Sequence, residues 1–360
     1  MKGAAQIPVS DFFSRLLEEA GYKGVFGLRK RGKGKAFYSL FVDSESLKEL
    51  DPFFPLMPQN AAKAVSRFTF HEASPHKVAV ILRSCELRAL IELVKLEQAE
   101  LDNLLIIGVE CGGVLPYEEV YLKNQAEEVY GAYMDALKKG ELFDGLRPVC
   151  KACSRFWPEN ADIVLSHVGR DEPVFVFQTE EAVDLAKSLG ISLDLPAQRS
   201  KASFELEEKR KAFEKTLVEE VKSQLTGISG LLSLFGRCIS CHNCSHVCPI
   251  CYCKDCFFES ATFDYEAESY ERRVAKKGTI RVPMDTILFH LGRMTHMATS
   301  CVSCGMCEDA CPMNIPVSRV FKVVGDELQA LFEYVPGKSL EEPLPLTTFR
   351  YDELHEVEDA

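Results

Sequence analysis

Four apolar residues near the start of the chain, Phe12, Phe13, Leu16 and Leu17, recur at helical spacing after Ser10. The spacing predicts an amphipathic helix with Ser10 as its N-cap. The pattern then changes. "KVAVILR" (77–83) is a short β-branched run without polar alternation, the mark of a strand buried on both faces. "SCELRALIELVKLEQ" follows at once, with Leu87, Leu90, Ile91 and Val94 on one helical face. "NLLIIGVECGG" repeats the plan with a strand over 103–109 and a Gly-rich turn. "ADIVLSHVG" and "PVFVFQT" read as two more strands, and "EEAVDLAKSLG" as a helix closed by Gly190. Strands alternating with helices over residues 1–200 predict an α/β domain on a mixed or parallel sheet. The basic stretch "RKRGKGK" (29–35) lies between two apolar runs. It reads first as a solvated hairpin turn and second as a contact for a cofactor phosphate.

The second half is patterned differently. Residues 201–227 are strongly charged, with Phe213, Leu217, Val221 and Leu225 at i, i+4 steps. They predict an amphipathic connecting helix ended by Gly227. A cysteine-rich region follows over 228–335, with a further helix in "VPMDTILFHLGRMTHMATS" (282–300). Residues 336–360 turn Pro-rich and acidic. They read as a solvated, partly disordered tail, with contact to a partner as the alternative.

Composition narrows the classes. The 360 residues are 46% hydrophobic and 27% charged, enough for a normal core in two or three domains. The net charge of −12 argues against nucleic acid and against an anionic membrane surface as partners. No apolar run is long enough to span a bilayer, and the start lacks the apolar stretch of an export signal. The expected compartment is therefore the reducing cytoplasm, where fifteen cysteines are metal ligands or buried thiols rather than a disulfide framework.

The cysteine spacing carries the chemistry. Cys238, Cys241, Cys244 and Cys248 form a CxxCxxCxxxCP run, and Cys301, Cys304, Cys307 and Cys311 form a second. This is the run of bacterial two-cluster ferredoxins, in which the fourth cysteine serves the other cluster. One [4Fe–4S] cluster is thus assigned to Cys238, Cys241, Cys244 and Cys311. The second is assigned to Cys301, Cys304, Cys307 and Cys248. Paired zinc sites have no use for the trailing xxxCP. The long insert between the motifs and the stretch "HLGRMTHMATSCVSCGMCEDACPMNIP" resemble the helical two-cluster domains of heterodisulfide reductase and succinate dehydrogenase subunits. They imply helices around the clusters.

The front half holds four cysteines, Cys85, Cys111, Cys150 and Cys153. Two follow strands, at the carboxyl ends where α/β sheets carry their sites, and two form "CKAC". Four thiolates match one cubane, and buried free thiols are the bland alternative. The segments "RSCELRALIEL", "IIGVECGG", "VCKACSRFWPENADIVLSHVG" and "VFQTEEAVDLAKSLG" stand in order over about residues 75 to 200. They resemble the beta subunits of deazaflavin-coenzyme (F-420) reducing hydrogenase and formate dehydrogenase. The domain order is similar to that of formate dehydrogenase beta subunits in particular. The resemblance implies that Cys85, Cys111, Cys150 and Cys153 hold a third [4Fe–4S] cluster beside FAD. Family members often carry Pro-Cys-Gln where this chain has Ser84-Cys85-Glu86, and "VLSHVGRDEP" replaces a glycine-rich stretch. Both segments are implied to approach the flavin, which makes Ser84, Glu86 and Gly169 candidate FAD contacts.

The expectation is an electron-transfer flavin/iron–sulfur subunit. It would exchange hydride with deazaflavin F-420 or NAD(P)H at FAD, and single electrons with a catalytic formate dehydrogenase or hydrogenase subunit, with ferredoxin as an alternative redox partner. The alternative is a flavin-free, polyferredoxin-type adaptor of a heterodisulfide-reductase-like complex. No catalytic residue emerges, and His242, His246, His290 and His296 read as surface or packed histidines. Cys251, Cys253 and Cys256 remain. A further cluster, a zinc ion or unligated packed thiols would each account for them, and the last is preferred.

Overall fold

The computed structural model describes residues 1–32, 34–119 and 126–348. Its first part is a mixed seven-stranded sheet: β1 (Gly3–Ala5), β2 (Gly24–Arg31), β3 (Lys35–Phe41), β4 (Val78–Arg83), β5 (Leu104–Val109), β6 (Ile163–Ser166) and β7 (Val174–Phe177). The strand order is β1-β7-β6-β5-β4-β2-β3. β2, β4, β5 and β6 run parallel, and antiparallel β1, β7 and β3 close the two sides. The unalternated apolar runs are the central strands: every residue of β4, β6 and β7 is buried. The basic stretch forms the β2–β3 hairpin, with Arg31 opposite Lys35.

Helices cover both faces. α1 (Val9–Glu18) buries Phe12, Phe13 and Leu16 against Phe175 and Phe177. It starts one residue before the expected cap: Pro8 occupies the N-cap position, and Ser10 lies inside the first turn. Pro has no side-chain acceptor, so the helix opens without a side-chain cap. α2 (Ala61–Phe68) and α3 (Ser84–Lys95) lie on the other face with the core of Leu87, Leu90 and Ile91. α4 (Ala126–Lys138), α5 (Pro148–Lys151) and α6 (Glu180–Ser188) complete the α/β part. His167, after β6, is buried against the Phe53 ring at 4.4 Å, and neither ring nitrogen has a hydrogen-bond partner. Burial pushes its pKa from 6.5 down to about 3. Between those values the unfolded chain binds the proton and the native one does not. This contribution is therefore complete above about pH 6.5 and is lost as pH falls. At about pH 5.5 the loss is about 1.4 kcal/mol. His167→Phe should flatten this part of the acid limb, measured as the change in thermal midpoint between neutral and mildly acid buffer.

The connecting helix α7 (Lys201–Gln224) is capped by Ser200, whose side chain accepts from the Ser203 amide. It ends before Gly227, which has φ +62° and instead opens the short α8 (Gly227–Phe235). The remaining part is helical: α9 (Asn243–His246), α10 (Ala267–Lys277), α11 (Thr286–Met297), α12 (Met306–Asp309) and α13 (Val317–Leu331). After α13 the chain returns to the sheet domain. Tyr334 and the Gly337 amide both donate to Glu92, and Arg88 donates to the Pro336 carbonyl at 2.8 Å. Residues 349–360 of the acidic tail lie outside the described residues. Among the described residues, no helix is long and apolar enough to cross a membrane.

Candidate functional site

The two cysteine loops of the helical part repeat each other in backbone conformation. Ser240 (φ 52°) and Ser303 (φ 57°) each stand two residues after the first cysteine of their run. His242 (φ 55°) and Gly305 (φ 82°) each follow the second. The third cysteines, Cys244 and Cys307, then lie on the one-turn helices α9 and α12. Left-handed backbone is costly for a residue with a Cβ. Three of these four positions are nevertheless not glycine, and the alternation of hand turns successive N–H groups inward. Such nests bind anions, iron–sulfur centres among them. The Ser240 amide, for example, donates to Cys238 Sγ at 3.4 Å.

The folded chain brings the cysteines into the crossed sets. Cys238 and Cys244 lie close enough to Cys311 of the other run for their thiolate charges to be felt, as do Cys301, Cys304 and Cys307 to Cys248. A small cavity is lined by Cys248, Cys301, Cys304 and Cys307 together. Burial pushes the Cys244 thiol up to about 11 and that of Cys304 to about 12. Left unligated, these groups stay protonated; a metal that binds thiolate displaces the proton. Among the described residues no three His, Cys, Asp or Glu side chains crowd together as the ligands of a single ion do. Cubane ligands bind different irons and so stand further apart.

In the sheet domain Cys85 begins α3 at the end of β4, Cys111 follows β5, and Cys150 and Cys153 lie on and after α5. Cys85 lies close enough to Cys111 and Cys153, and Cys111 to Cys150, for their thiolate charges to be felt. Burial raises the Cys111 thiol to about 11. Two buried cations that the sequence reading missed support these loops. Arg210 of α7 donates to the carbonyls of Cys111 (3.2 Å), Cys153 (3.3 Å) and Gly112 (2.7 Å), with its guanidinium 4.4 Å over the Phe156 ring. Arg83 donates to the Phe54 and Leu56 carbonyls at 2.8 and 2.9 Å. Glu110 accepts from Ser166 Oγ at 2.7 Å, from the His167 and Val168 amides at 3.2 Å, and from Ser203. It thereby fixes the residue next to Cys111 to β6 and to the start of α7.

Apolar packing joins the three sets one to the next. Cys85, Cys150 and Cys304 pack on the same small apolar cluster of Met57, Val114 and Met306, which joins the sheet-domain set to the Cys301 set. Cys244 belongs to a cluster with Phe258 and Phe289 against which Cys307 packs, joining the second set to the third. Arg147 clasps the first junction. It pairs with Asp309 and donates to the Cys304 carbonyl at 3.4 Å.

The surplus thiols go separate ways. Cys251 Sγ lies 3.3 Å from Met297 Sδ, Cys253 is exposed, and Cys256 packs beside Phe258. Of the histidines, His242 stacks on Phe289 at 4.2 Å and His290 on Phe235 at 4.1 Å.

A cleft runs beside the sheet-domain set. Ser84, Arg88, Arg155, Trp157 and Lys211 line one end, and the returning Gly337–Lys338 strand of chain closes it. A continuation sharing Arg88 and Arg155 reaches Cys153. Arg88 and Arg155 repel one another across this space, an arrangement that an anion relieves. Of the three candidate flavin contacts, only Ser84 lies here, its hydroxyl donating to the Arg155 carbonyl at 2.6 Å. Glu86 is fully buried elsewhere, accepting from Tyr38 and from the Arg83 and Ala61 amides. Gly169 (φ +71°) makes a turn packed on Ser200 and Ala202.

Residues 235–315 match the 4Fe-4S dicluster domain. The chain is 28% identical to the F420-dependent formate dehydrogenase subunit beta of Methanocaldococcus jannaschii, covering 91% of each chain. It is 29% identical to the F420-dependent formate dehydrogenase 1 subunit beta of Methanococcus maripaludis, covering 95% of this chain and 93% of that one. It is 23% identical to the sulfhydrogenase 2 subunit beta of Pyrococcus furiosus over 67% of this chain and 80% of that one. Among solved structures, a chain of the xenon-derivatised F420-reducing [NiFe] hydrogenase complex from Methanosarcina barkeri matches with a TM-score of 0.44 at 15% identity, covering 63% of this chain and 92% of that one. A mixed α/β sheet followed by a helical 4Fe-4S dicluster region, with this kinship over nine-tenths of its length, makes the chain an oxidoreductase subunit homologous to the beta subunits of F420-dependent formate dehydrogenase.

Proposed function

We propose that the protein is the electron-transfer subunit of a cytoplasmic formate dehydrogenase or hydrogenase type complex, exchanging hydride with a coenzyme at FAD and single electrons with a partner subunit. The observation that carries this reading is the succession of three cysteine sets, joined through the Met57/Val114/Met306 cluster and the Phe258/Phe289 cluster. Cys85, Cys111, Cys150 and Cys153 would hold one [4Fe–4S] cluster, Cys248, Cys301, Cys304 and Cys307 the next, and Cys238, Cys241, Cys244 and Cys311 the outermost. Among these twelve, Cys241 alone is exposed, which suits an exit to a partner. When bound, FAD supplies the exchange between a two-electron hydride and single electrons, and the clusters supply one-electron relays.

The cleft by Cys153 supports the flavin. Arg88 and Arg155 present positive charge that a pyrophosphate needs, Lys211 being paired with Glu207 and Glu208, and Trp157 and Val335 give apolar surface for a ring. The Ser84 hydroxyl holds the Arg155 carbonyl there. F420 is the favoured coenzyme because both formate dehydrogenase relatives are named as dependent on it.

Anaerobic purification should give about one FAD and about twelve irons per chain, at four per cubane. Reduction followed at the flavin band with F420, NAD(P)H and reduced ferredoxin in turn identifies the coenzyme. Twelve irons with no flavin after reconstitution would favour the polyferredoxin-type adaptor instead. The separated surplus thiols predict that Cys251→Ala, Cys253→Ala and Cys256→Ala, combined in one chain, leave the iron content unchanged; a loss of iron would make one of them a ligand.

A further inference from the structure

A charged side chain stands between the two cysteine sets of the dicluster region, with no carboxylate partner among the described residues. Arg293 of α11 is 4% exposed. It lines the cavity bounded by Cys248, Cys301, Cys304 and Cys307. Its electrostatic partners are Cys248 and Cys307 of that set, Cys244 of the other, and the unassigned Cys251. The guanidinium lies 4.6 Å over the Phe321 ring, and Nε and Nη1 have no hydrogen-bond partner. Around it the helix is apolar or neutral: Phe289, Met294 and Met297 are buried, and the buried His290 is held in its neutral form by desolvation.

A buried cation is costly unless an opposite charge compensates it. An aromatic face supplies part of that compensation. The rest has to come from the thiolates, and a cubane held by four thiolates carries net negative charge. Adding one electron makes that charge more negative while breaking no bond, so a cation fixed beside it stabilises the reduced form more than the oxidised one.

We propose that Arg293 is the positioning charge of the dicluster region, held between Cys244 of one set and Cys248 and Cys307 of the other, and that it raises the reduction potential of both clusters together. Arginine suits the task because it stays protonated when buried and offers donors in several directions at once. The inference rests on the cluster assignment proposed above.

The test is an anaerobic, EPR-monitored redox titration of the full-length, cluster-loaded protein. Wild type must show both dicluster signals; their absence would overturn the cluster assignment itself, independently of Arg293. Arg293→Met keeps length and apolar volume but removes the charge. It should lower the reduction constant of both dicluster centres about tenfold or more, a downward shift of ~59 mV per tenfold for one electron. The cluster of Cys85, Cys111, Cys150 and Cys153 should not move, and Arg293→Lys should restore most of the shift. Arg293→Gln serves as a second neutral variant if the first loses iron. Unchanged potentials in either neutral variant that retains about twelve irons overturn the proposal. Loss of dicluster iron from both, restored by lysine, would mean a structural role and would overturn it equally.

Discussion

Cys85→Ala lowers the iron content from about twelve to about eight atoms per chain, by loss of one cubane at four irons each. It also stops electron flow between coenzyme and partner while leaving the flavin reducible by its coenzyme. The expectation follows from where Cys85 sits. It starts α3 directly after β4, shares a set with Cys111 and Cys153, and packs with Cys150 and Cys304 on Met57, Val114 and Met306. In the proposed assignment it is both a ligand of the sheet-domain set and the neighbour of the next one. Iron and sulfide analysis, combined with a coenzyme-to-artificial-acceptor assay, separates the two effects. Unchanged iron would mean that the four front cysteines are buried thiols and that the chain carries only its dicluster pair.

Asp309→Ala should cost about 3–5 kcal/mol of stability, the range for removing one partner of a buried ion pair. The side chains of Arg147 and Asp309 are 4% and 8% exposed, and the pair bridges the α/β part to α12. Asp309 also accepts from the Tyr117 amide at 2.8 Å, and Arg147 holds the Cys304 carbonyl. Removing the carboxylate strands the guanidinium among Met57, Met306 and backbone carbonyls. Anaerobic denaturant unfolding measures the loss. The double variant with Arg147→Met should recover a substantial part of it, because no uncompensated charge then remains. A loss below about 1 kcal/mol, the scale of an exposed pair, would show that the clasp does not hold the two parts together.

Three charged residues missed at the sequence level share one signature. Arg210 falls on the buried face of α7 with Leu206, Leu217 and Val221, and Arg293 on the buried face of α11 with Phe289 and Met297. Glu110 ends the apolar run of β5. A charge at a core position of an otherwise periodic element is legible as an anomaly. What it pairs with is not, because Cys111 and Cys153 are brought to Arg210, and Cys244 and Cys248 to Arg293, by chain segments far away in sequence. Glu86 shows the opposite case. It stands next to a cysteine in a strand-to-helix turn, yet its carboxylate is taken up by Tyr38 and two backbone amides.

The sequence alone determined what depends on short-range periodicity and on fixed ligand spacing. Short, β-branched, unalternated apolar runs mark buried strands, helical repeats mark the covering helices, and two CxxCxxCxxxCP runs specify a dicluster region because loop length sets where thiolates point. Tertiary structure alone decided how the parts connect. It brought Cys85 and Cys304 to one apolar cluster, returned Tyr334 and Gly337 to α3, opened a cationic cleft between Arg88 and Arg155, and placed Arg293 between two cysteine sets. Those contacts join residues tens to hundreds of positions apart, and they arise from how whole faces pack, which no local pattern encodes.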